Sequence, residues 1–598
     1  MGLFSTIKRE YDYVTGVLGT LRRIGSISPD DKLTVADLFE EKVDTYKANV
    51  AIRYEDKIFT YGELDERANQ YAHWGVAQGL KAGDTVALFM DNRPDYVAIW
   101  LGLAKIGVTT ALINYNLQGS GLAHCIKIAE PRAVIMGPDQ IGLYRTATPD
   151  LPDDLAAWCI GGEGDGCQAL APILADMPDT RPAATLRETQ RAGDLCLFIY
   201  TSGTTGLPKA ARLTHARVIG MMRSFIVACN ITERDRIYLT LPLYHATGGI
   251  CGVGQAFLTG ASLILRDKFS ATHFWEDAVN YRATSFVYIG ELCRYLVSAP
   301  PHPLEKAHAI RTGFGNGLRA DVWQQFIDRF GIRDLVEFYG STEGNVSFIN
   351  VNKKIGAIGR LPPYMRNKLR HRIIRVDVET EQPIRDEEGF CMETEVDEVG
   401  EAIGEISDAP RQRFEGYKDP SQTEKKILRD VFKPGDMYFR TGDLMKRDEH
   451  HFIYFVDRMG DTYRWKAENV STNEVAEALA RFDAIELPNV YGVEIPGTEG
   501  RAGMAALILK PEREFDGKAL AAHVDRELPY FARPVFIRVQ KEAETTGTFK
   551  FRKVELVDQG IESSKIDDPL YVRLPDSDAF TPLTSDIEDK INKSEISF

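Results

Sequence analysis

Short apolar runs alternate with longer amphipathic runs from about residue 30 to residue 455. The short runs predict buried strands at residues 85–90, 133–136, 195–199, 237–239, 262–265, 285–289 and 335–339. Apolar residues spaced three and four apart predict helices at residues 63–79 and 321–330. Strands and helices that alternate at this spacing are typical of an α/β fold with largely parallel sheets.

The pattern changes near residue 457. Further strands are predicted at residues 453–456, 490–493, 505–509 and 535–539, and helices at residues 473–481 and 518–527. This mixture predicts a separate small α+β domain. The predicted order is an N-terminal amphipathic segment (1–30), a large domain (31–457), a small domain (458–583) and a polar tail (584–598) that is expected to be disordered.

The first segment predicts a helix with one apolar stripe. The stripe consists of Leu3, Phe4, Ile7, Tyr11, Val14, Leu18, Leu21 and Ile24. The same segment is rich in Lys and Arg. Two interpretations of residues 1–24 stay open: a helix on a membrane surface, and a helix packed on its own protein. Residues 96–113 contain Lys105 and two glycines, so they predict a buried helix and strand, not a membrane-spanning helix.

Composition narrows the class of protein. A chain of 598 residues predicts at least two domains, and a net charge of −15 argues against a nucleic-acid partner. The eight cysteines are scattered, with no Cys-x-x-Cys pair, which argues against a zinc site or disulfide framework and suits a reducing compartment. No signal peptide is recognised, so a cytoplasmic location is expected.

One loop carries recognisable chemistry. Residues 200–209 read YTSGTTGLPK, directly after a predicted strand. Glycine backbone and Thr or Ser hydroxyls form anion-binding concavities, and Lys209 adds a mobile positive charge. No Gly-Lys-Ser/Thr follows, so this is not a Walker loop. The residues alone predict a phosphate-binding loop, and an ordinary Gly/Ser/Thr loop stays open.

The string YTSGTTGLPKAA resembles the phosphate-loop signature of the adenylate-forming superfamily of acyl-CoA synthetases, luciferases and peptide-synthetase adenylation domains. Further motifs follow in the expected order: LPLYHATGG at 241–249, EFYGSTEGN at 337–345, YFRTGDL at 438–444 and VDRMGDTYRWKAENVSTNEV at 456–475. The last motif, with YIGELCRYL at 288–296 and TGTFKFRKVEL at 546–556, is similar to the fatty acid transport protein / very-long-chain acyl-CoA synthetase family. The resemblance spans roughly residues 33–574.

The resemblance implies a large multi-sheet N-terminal domain and a small mobile C-terminal domain. It implies an ATP-dependent long- or very-long-chain fatty acyl-CoA synthetase, an acid–thiol ligase. Such an enzyme forms an acyl-adenylate and pyrophosphate, and then the CoA thioester and AMP. The implied partners are a fatty acid, ATP, Mg²⁺ and CoA. Contact of residues 1–24 with the cytoplasmic face of a membrane, which the residues and not the resemblance suggest, stays open as one of the two interpretations of that segment.

The resemblance also implies an ATP-binding set. Its members are Tyr200, Thr201, Ser202, Gly203, Thr204, Thr205, Gly206, Lys209, Gly315, Asn316, Gly317, Tyr339, Gly340, Ser341, Asp443 and Arg458. Residues 315–317 would form a wall of the adenine pocket and Tyr339 would lie against the adenine ring. Asp443 would accept hydrogen bonds from the two ribose hydroxyls, which suits the two oxygens of a carboxylate. Arg458 would support the ribose or the phosphates.

Four residues are implied to be catalytic. Thr342 would contact phosphate, and Glu343 would bind magnesium, a hard cation that prefers carboxylate oxygen. Lys550 would bridge the substrate carboxylate and the α-phosphate as negative charge develops. His245 would gate the passage between the acyl pocket and the CoA tunnel, although a histidine after an apolar strand is often structural.

Two departures from the family pattern bear on these assignments. Phe549 stands where the lysine motif usually has glycine, and Lys553 is the alternative to Lys550. Gly460, Lys466 and Ala467 would form the hinge and CoA channel, and Ala467 stands where the subgroup has glycine.

Three hypotheses about function stay open. A fatty acyl-CoA synthetase is preferred over a ligase for a bile or aryl acid or a carrier-protein-loading enzyme. The third is a transport or acyl-binding protein with little catalysis.

Overall fold

The computed structural model describes residues 3–162, 166–201, 208–378, 380–409, 411–466, 468–496, 498, 500–542, 553–575, 577–596 and 598. The chain forms two compact units that interleave along the sequence. The first consists of Met1–Leu361, Gly404–Leu428 and Met437–Phe439, and the second of Pro362–Ile403, Arg429–Asp436 and Arg440–Phe598. Because the units interleave, the domain boundary between residues 457 and 458 stays a prediction.

Two large sheets build the first unit. One has seven strands, in the spatial order Gln168–Ala169, Ala156–Cys159, Ala133–Met136, Thr85–Phe89, Thr109–Ile113, Leu195–Thr201 and Lys209–Thr214. The other has eight, in the order Ser347–Ile349, Asp334–Gly340, Thr312–Asn316, Ser285–Ile289, Arg236–Leu239, Ser262–Leu265, Val50–Tyr54 and Lys57–Thr60.

Neighbouring strands in both sheets are parallel, except for antiparallel pairs at three of the edges. The central strands Thr85–Phe89 and Thr109–Ile113 are buried at every residue, as expected of a parallel sheet covered on both faces. The predicted α/β fold with largely parallel sheets is therefore confirmed.

Helices separate and cover these strands. The α-helices of the first unit are Leu3–Ile24, Val35–Tyr46, Tyr61–Ala77, Pro94–Lys105, Gly119–Ala129, Ile141–Ala147, Ala171–Ala175, His215–Arg223, Val253–Phe257, Phe274–Asn280, Gly290–Ser298, Ala320–Phe330 and Pro420–Glu424. A π-helix spans Ala246–Gly252. The start of Tyr61–Ala77 is fixed by a capping box, in which Thr60 and Glu63 each accept a backbone N–H of the other.

The second unit is built from smaller sheets. One of its sheets contains the strands His371–Ile374, Gly400–Glu405, Met437–Arg447 and Phe452–Arg458, in that order. These strands lie mostly in this unit. A second sheet has the order Ile485–Glu494, Arg501–Leu509, Phe536–Gln540, Leu570–Val572 and Thr581–Pro582. The pair Tyr463–Trp465 and Glu468–Val470 forms a short antiparallel ribbon. The helices are Pro363–Leu369, Thr472–Ala480, Gly517–Glu527, Val554–Gln559 and Ser585–Asn592.

Residues 96–113 form a helix and a strand, as predicted. Pro94–Lys105 is a helix in which every residue except Asp95 is buried, and Thr109–Ile113 is a central strand. Lys105 is buried against Asp65, with 2.5 Å between the ammonium and the carboxylate. A buried lysine paired with carboxylates is typical of a soluble core rather than of a lipid-facing helix.

The predicted disorder of residues 584–598 is wrong for Ser585–Asn592, which form a helix. Thr584 caps this helix by accepting the backbone N–H of Ile587. Ile591 is fully buried and Ile587 packs beside it against the core of the second unit. Two isoleucines at i and i+4 thus bury one face of a segment whose overall charge predicted disorder.

The N-terminal helix packs on its own protein along one face. Tyr13 is 1% exposed, and its hydroxyl donates to the carbonyl of Arg360 at 2.8 Å. Arg360 pairs with the carboxylate of Glu10. The opposite face leaves three apolar side chains exposed, Ile7 (59%), Tyr11 (67%) and Leu18 (42%). The helix therefore packs on its own protein through Tyr13, which is not a member of the predicted stripe, whereas the stripe residues Ile7, Tyr11 and Leu18 are exposed.

Candidate active site

The two ends of the phosphate-loop candidate meet at a sheet edge. Thr201 and Lys209 are directly paired across the antiparallel strands Leu195–Thr201 and Lys209–Thr214. Burial, together with the neighbouring positive charges of Lys426 and Lys425, lowers the pKa of Lys209. The structure therefore places several cations beside the loop, which suits an anionic ligand.

Most of the loop itself lies outside the described residues. Ser202, Gly203, Thr204, Thr205 and Gly206 belong to this part, and their contacts with phosphate stay predictions. Tyr200, which precedes them, donates its hydroxyl to the carbonyl of Cys125 at 2.6 Å. Its side chain thus anchors the strand to the helix Gly119–Ala129, and its contact with ATP stays a prediction.

Glu343 lies against Tyr417, a residue that the sequence did not single out. The hydroxyl of Tyr417 donates to Oε1 of Glu343 at 2.7 Å, and both side chains are buried. The ammonium of Lys209, which is paired with Thr201 across the two strands, lies 5.8 Å from the centre of the Tyr417 ring. One end of the loop and the candidate magnesium ligand thus converge on one tyrosine.

The backbone around Tyr417 is held beside the strand that follows the loop. Arg212 donates its N–H to the carbonyl of Gly416 at 3.0 Å, and Lys418 donates to the carbonyl of Ala210 at 2.9 Å. These bonds place residues 416–418 along the outer edge of the strand Lys209–Thr214. The position of Tyr417 is therefore tied to that of Lys209 through the backbone.

The segment that carries Glu343 is clamped by Arg217. The guanidinium donates to the carbonyl of Thr342 at 2.6 Å from Nη2 and 2.8 Å from Nε. It also donates to the carbonyls of Ser341, at 3.2 Å, and Gly344. Burial lowers the pKa of Arg217, while the nearby Glu343 carboxylate opposes this shift. One half-buried guanidinium therefore binds three backbone carbonyls, those of residues 341, 342 and 344, on both sides of the candidate metal ligand.

The predicted adenine wall, residues 315–317, consists of the end of the strand Thr312–Asn316 and the turn of the chain at Gly317. A Cβ on Gly315 would lie 2.2 Å from the carbonyl oxygen of Tyr288, and Gly317 has φ +78°, so both positions favour glycine. Glu337 lies buried beneath the turn and accepts the N–H of Leu318 and the hydroxyl of Tyr288, each at 3.0 Å. Burial raises the pKa of Glu337 to about 8.

The strand Asp334–Gly340 leads from this turn to the clamped segment. Tyr339 is half-buried near the end of the strand, with its ring centre 6.2 Å from that of Phe348. Gly340 ends the strand, and Ser341 accepts the N–H of Gly344 through Oγ at 3.1 Å. The candidate residues 339–343 therefore follow the carboxyl end of a parallel strand, where open α/β sheets bind ligands. Asn316 lies at the end of the neighbouring strand Thr312–Asn316.

His245 lies at the entrance to the π-helix Ala246–Gly252. Its ring centre is 4.3 Å from that of Tyr244, which packs edge-on against Tyr115. π-Helical turns occur frequently at functional sites. The gating role of His245 stays a prediction.

In the second unit, Asp443 and Arg458 are neighbours. They are directly paired across the antiparallel strands Met437–Arg447 and Phe452–Arg458. Nε of Arg458 lies 3.8 Å from Oδ1 of Asp443. The two residues assigned to ribose and phosphate thus form one mixed-charge pair on adjacent strands.

The hinge and channel candidates follow this pair. Gly460 does not have a positive φ, and an added Cβ would meet its nearest neighbour, Glu381, at 3.9 Å. Neither crowding nor backbone conformation therefore requires glycine there in this state, and its hinge role stays a prediction. Lys466 has φ +51°, and its ammonium lies 5.4 Å from the ring centre of Tyr530. Ala467 lies outside the described residues.

One of the two candidate adenylation lysines, Lys553, lies in the described part of the chain. Lys550 and the preceding Phe549 lie outside the described residues. Lys553 donates to Oγ1 of Thr472 at 2.8 Å and lies 3.6 Å from the carboxylate of Asp461. In the described state, Lys553 is part of a polar network at the start of the helix Thr472–Ala480.

The residues suit a cation that arrives with its own ligands. Among the described residues, no group of three or more His, Cys, Asp and Glu could hold a metal ion. Glu343 offers a single buried carboxylate at the phosphate-loop end. Magnesium in nucleotide sites is often held by one or two carboxylates with substrate phosphates, so the donor set fits that arrangement.

Sequence reasoning missed three supporting residues: Arg217, Glu337 and Tyr417. Arg217 lies in the helix His215–Arg223, which follows the strand Lys209–Thr214, and no local sequence pattern marks it as a clamp. No local sequence pattern distinguishes Glu337 or Tyr417 from the residues around them. Their partners come from distant segments, so only the fold identifies them.

Comparison with known proteins identifies related sequences. The sequence model of the family described as AMP-binding enzyme matches residues 39–401, and that of the AMP-binding enzyme C-terminal domain matches residues 474–550. Long-chain fatty acid transport protein 6 of Mus musculus is 42% identical, over 94% of this chain and 91% of the relative. Long-chain fatty acid transport protein 2 of Rattus norvegicus is 41% identical, over 93% and 90%.

Solved structures share the fold. An anthranilate CoA ligase in complex with anthranoyl-AMP has a TM-score of 0.76 at 19% identity, covering 89% of this chain and 98% of that structure. A fatty acyl CoA synthetase of Mycobacterium tuberculosis has a TM-score of 0.61 at 21% identity, covering 88% and 98%. At these identities the likeness concerns the fold.

Proposed function

The chain belongs to the AMP-binding enzyme family, among the relatives of the long-chain fatty acid transport proteins, and we propose that it is an ATP-dependent long- or very-long-chain fatty acyl-CoA synthetase. The observation that carries the proposal is the convergence of Lys209 and Glu343 on Tyr417. This places a cation and a carboxylate at the two sides of a phosphate-loop candidate. The alternative of an ordinary Gly/Ser/Thr loop does not account for it.

In the first proposed step, a fatty acid carboxylate oxygen attacks the α-phosphorus of ATP. The bond to the β-phosphate bridging oxygen breaks, and pyrophosphate leaves with the electron pair. Lys209 and the loop would hold the leaving phosphates, and Lys550 would neutralise charge between the carboxylate and the α-phosphate. Magnesium, held by Glu343 and phosphate oxygens, would supply further neutralisation of the phosphates.

The nucleoside would be held by residues of the nucleotide motifs. Residues 315–317 and Tyr339 would contact adenine. The carboxylate of Asp443 would accept the ribose hydroxyls, with Arg458 beside it. In the second proposed step the CoA sulfur attacks the acyl carbonyl, the bond from carbonyl carbon to phosphate oxygen breaks, and AMP leaves. Residues 460–467 would border the CoA path.

The identity of the acid rests on the relatives, whose names specify long-chain fatty acids. The remaining ligase candidates are enzymes for a bile or aryl acid and enzymes that load a carrier protein. An acid panel from medium to very long chains, with benzoate and a bile acid, assayed with CoA and with a carrier protein, separates them. Thioester formation that peaks with long chains and CoA is expected. A peak with benzoate or the bile acid, or transfer only to carrier protein, would overturn the assignment.

A transport protein with little catalysis is the third candidate, because the relatives are named for transport. Among the described residues, no helix is long and apolar enough to cross a membrane. The test is acid-dependent AMP release by purified protein without membranes. The synthetase proposal expects release, and absence of release at every chain length would favour the transport or acyl-binding role.

The exposed face of the N-terminal helix is proposed to contact a membrane surface. Ile7, Tyr11 and Leu18 lie on this face, near the exposed Lys8 and Arg22. Apolar side chains flanked by cations suit an anionic lipid surface. Since each buried apolar side chain is worth about 1.5–3 kcal/mol, the triple variant I7E/Y11E/L18E is expected to bind phosphatidylserine vesicles at least about tenfold more weakly. Vesicle cosedimentation measures this.

A matched control adds the same charge elsewhere. Ile58, Val76 and Leu186 are also exposed apolar residues of the first unit, so I58E/V76E/L186E should leave vesicle binding unchanged. Turnover of a short, soluble acid should stay the same in both triple variants. Equal binding by wild type and I7E/Y11E/L18E would rule out membrane contact through this face.

A further inference from the structure

Tyr417 occupies the point where three segments of the first unit meet. Its hydroxyl donates to Oε1 of Glu343 at 2.7 Å. Its ring faces the ammonium of Lys209 at 5.8 Å. Tyr417 and Glu343 are 5% and 8% exposed, so water competes little for this hydrogen bond.

The hydrogen bond determines how the carboxylate of Glu343 is oriented. The terminal torsion of a glutamate is broad, so the plane of an unrestrained carboxylate rotates readily. A buried donor on Oε1 selects one plane.

The position of the hydroxyl is itself fixed. The N–H of Tyr417 donates to Oγ1 of Thr423 at 2.9 Å, and the flanking residues 416 and 418 are bonded to the strand Lys209–Thr214. From the other side, Arg217 clamps the backbone of residues 341–344. Donor and acceptor are thus both supported by rigid backbone, which is how supporting residues orient metal ligands in proteins.

We propose that Tyr417 is a positioning residue, whose hydroxyl holds the carboxylate of Glu343 in the orientation that contacts a divalent cation bound to the phosphates of ATP. This rests on the proposed function, because the ligand of the site is taken to be ATP with magnesium. Tyr417 itself contacts neither the cation nor the reacting atoms. Its effect on ATP binding is therefore confined to the part that depends on the metal.

The test compares ATP affinity with and without metal. ATP is titrated calorimetrically into the full-length protein, with no acid present, in excess Mg²⁺ and in EDTA. Tyr417→Phe is expected to raise the Kd in Mg²⁺ by about tenfold, the lower end of the effect of losing a partner of a metal ligand, and to leave the Kd in EDTA unchanged. A merely structural role would weaken both values.

Two variants frame this result. Tyr238 makes an equivalent buried hydrogen bond, donating to Asp277 at 2.8 Å, in a pair that contains no site residue. Tyr238→Phe should leave both Kd values unchanged. Glu343→Gln should show the same metal-specific loss, and adding Tyr417→Phe to it should cause no further loss, because the two residues act as one unit.

The outcomes separate this proposal from the proposed function. Wild type that does not bind ATP overturns the proposed function, and wild type that binds equally in Mg²⁺ and EDTA overturns the metal assignment of Glu343 and this proposal with it. Mg²⁺-dependent wild type with an unchanged, or equally weakened, Tyr417→Phe overturns the positioning role alone. If Tyr417→Phe does not fold, Glu343→Asp retracts the carboxylate by one methylene and is expected to give the same Mg²⁺-specific loss; an unchanged Kd in Mg²⁺ would overturn the proposal.

Discussion

Lys550→Ala is expected to lower acid-dependent pyrophosphate release by about 10²–10³-fold, the cost of removing one preorganised donor to developing charge. The same variant should convert supplied acyl-adenylate and CoA to thioester at the wild-type rate. The physical reason is that negative charge builds between carboxylate and α-phosphate only in the first step. Pyrophosphate release and single-turnover thioester formation measure the two steps separately.

Lys553→Ala is the matched control. In the structure Lys553 supports Thr472 and lies near Asp461, so its loss should affect both steps modestly and equally. Selective loss of the first step in Lys553→Ala, with Lys550→Ala nearly active, would transfer the role to Lys553. Equal loss of both steps in Lys550→Ala would make Lys550 structural.

Arg217→Met should give the second large effect. Methionine removes every donor to the carbonyls of Ser341, Thr342 and Gly344. Each buried carbonyl left unpaired costs about 1–3 kcal/mol, so the free energy of unfolding is expected to fall by a few kcal/mol. Displacement of Glu343 by about an ångström should lower the rate of adenylation about 100-fold. Denaturant unfolding and pyrophosphate release measure the two effects.

Arg311→Met separates stability from function. Arg311 also donates to backbone carbonyls, those of Cys229 and Asn230, and pairs with Asp235, but it precedes the strand Thr312–Asn316 at the end away from the candidate site. A similar loss of stability without the loss of adenylation is expected. Arg217→Lys, which keeps the charge, should fall between wild type and Arg217→Met. Equal adenylation losses in Arg217→Met and Arg311→Met would show that the clamp acts only through stability.

Much of the fold follows from apolar patterning. Strands such as Ala133–Met136, Ser262–Leu265 and Ser285–Ile289 are short apolar runs in the middle of parallel sheets, and burial on both faces makes such runs conspicuous. The helix Ser585–Asn592 was missed, because only Ile587 and Ile591 mark its buried face among many charges. The edge strand Lys57–Thr60 has no apolar run, because its residues are exposed or half-buried.

Some residues of the candidate site were predicted from the sequence, and others were not. Motif spacing located Thr201, Lys209 and Glu343, and the fold brings these three together. Arg217 binds backbone carbonyls, and Tyr417 binds a residue far away in sequence. No local sequence pattern marks residues of either kind. Their roles depend on long-range contacts, which periodicity does not encode.

Transfer of oxygen from the acid to AMP tests the central claim most directly. Purified protein is incubated with ATP, Mg²⁺, CoA and a long-chain fatty acid labelled with ¹⁸O in both carboxylate oxygens, without membranes, and the AMP is analysed by mass spectrometry. Activation through an acyl-adenylate predicts AMP that carries one ¹⁸O atom, because thiolysis leaves the former carboxylate oxygen on phosphorus. Formation of ADP, or of AMP without the label, would contradict the account.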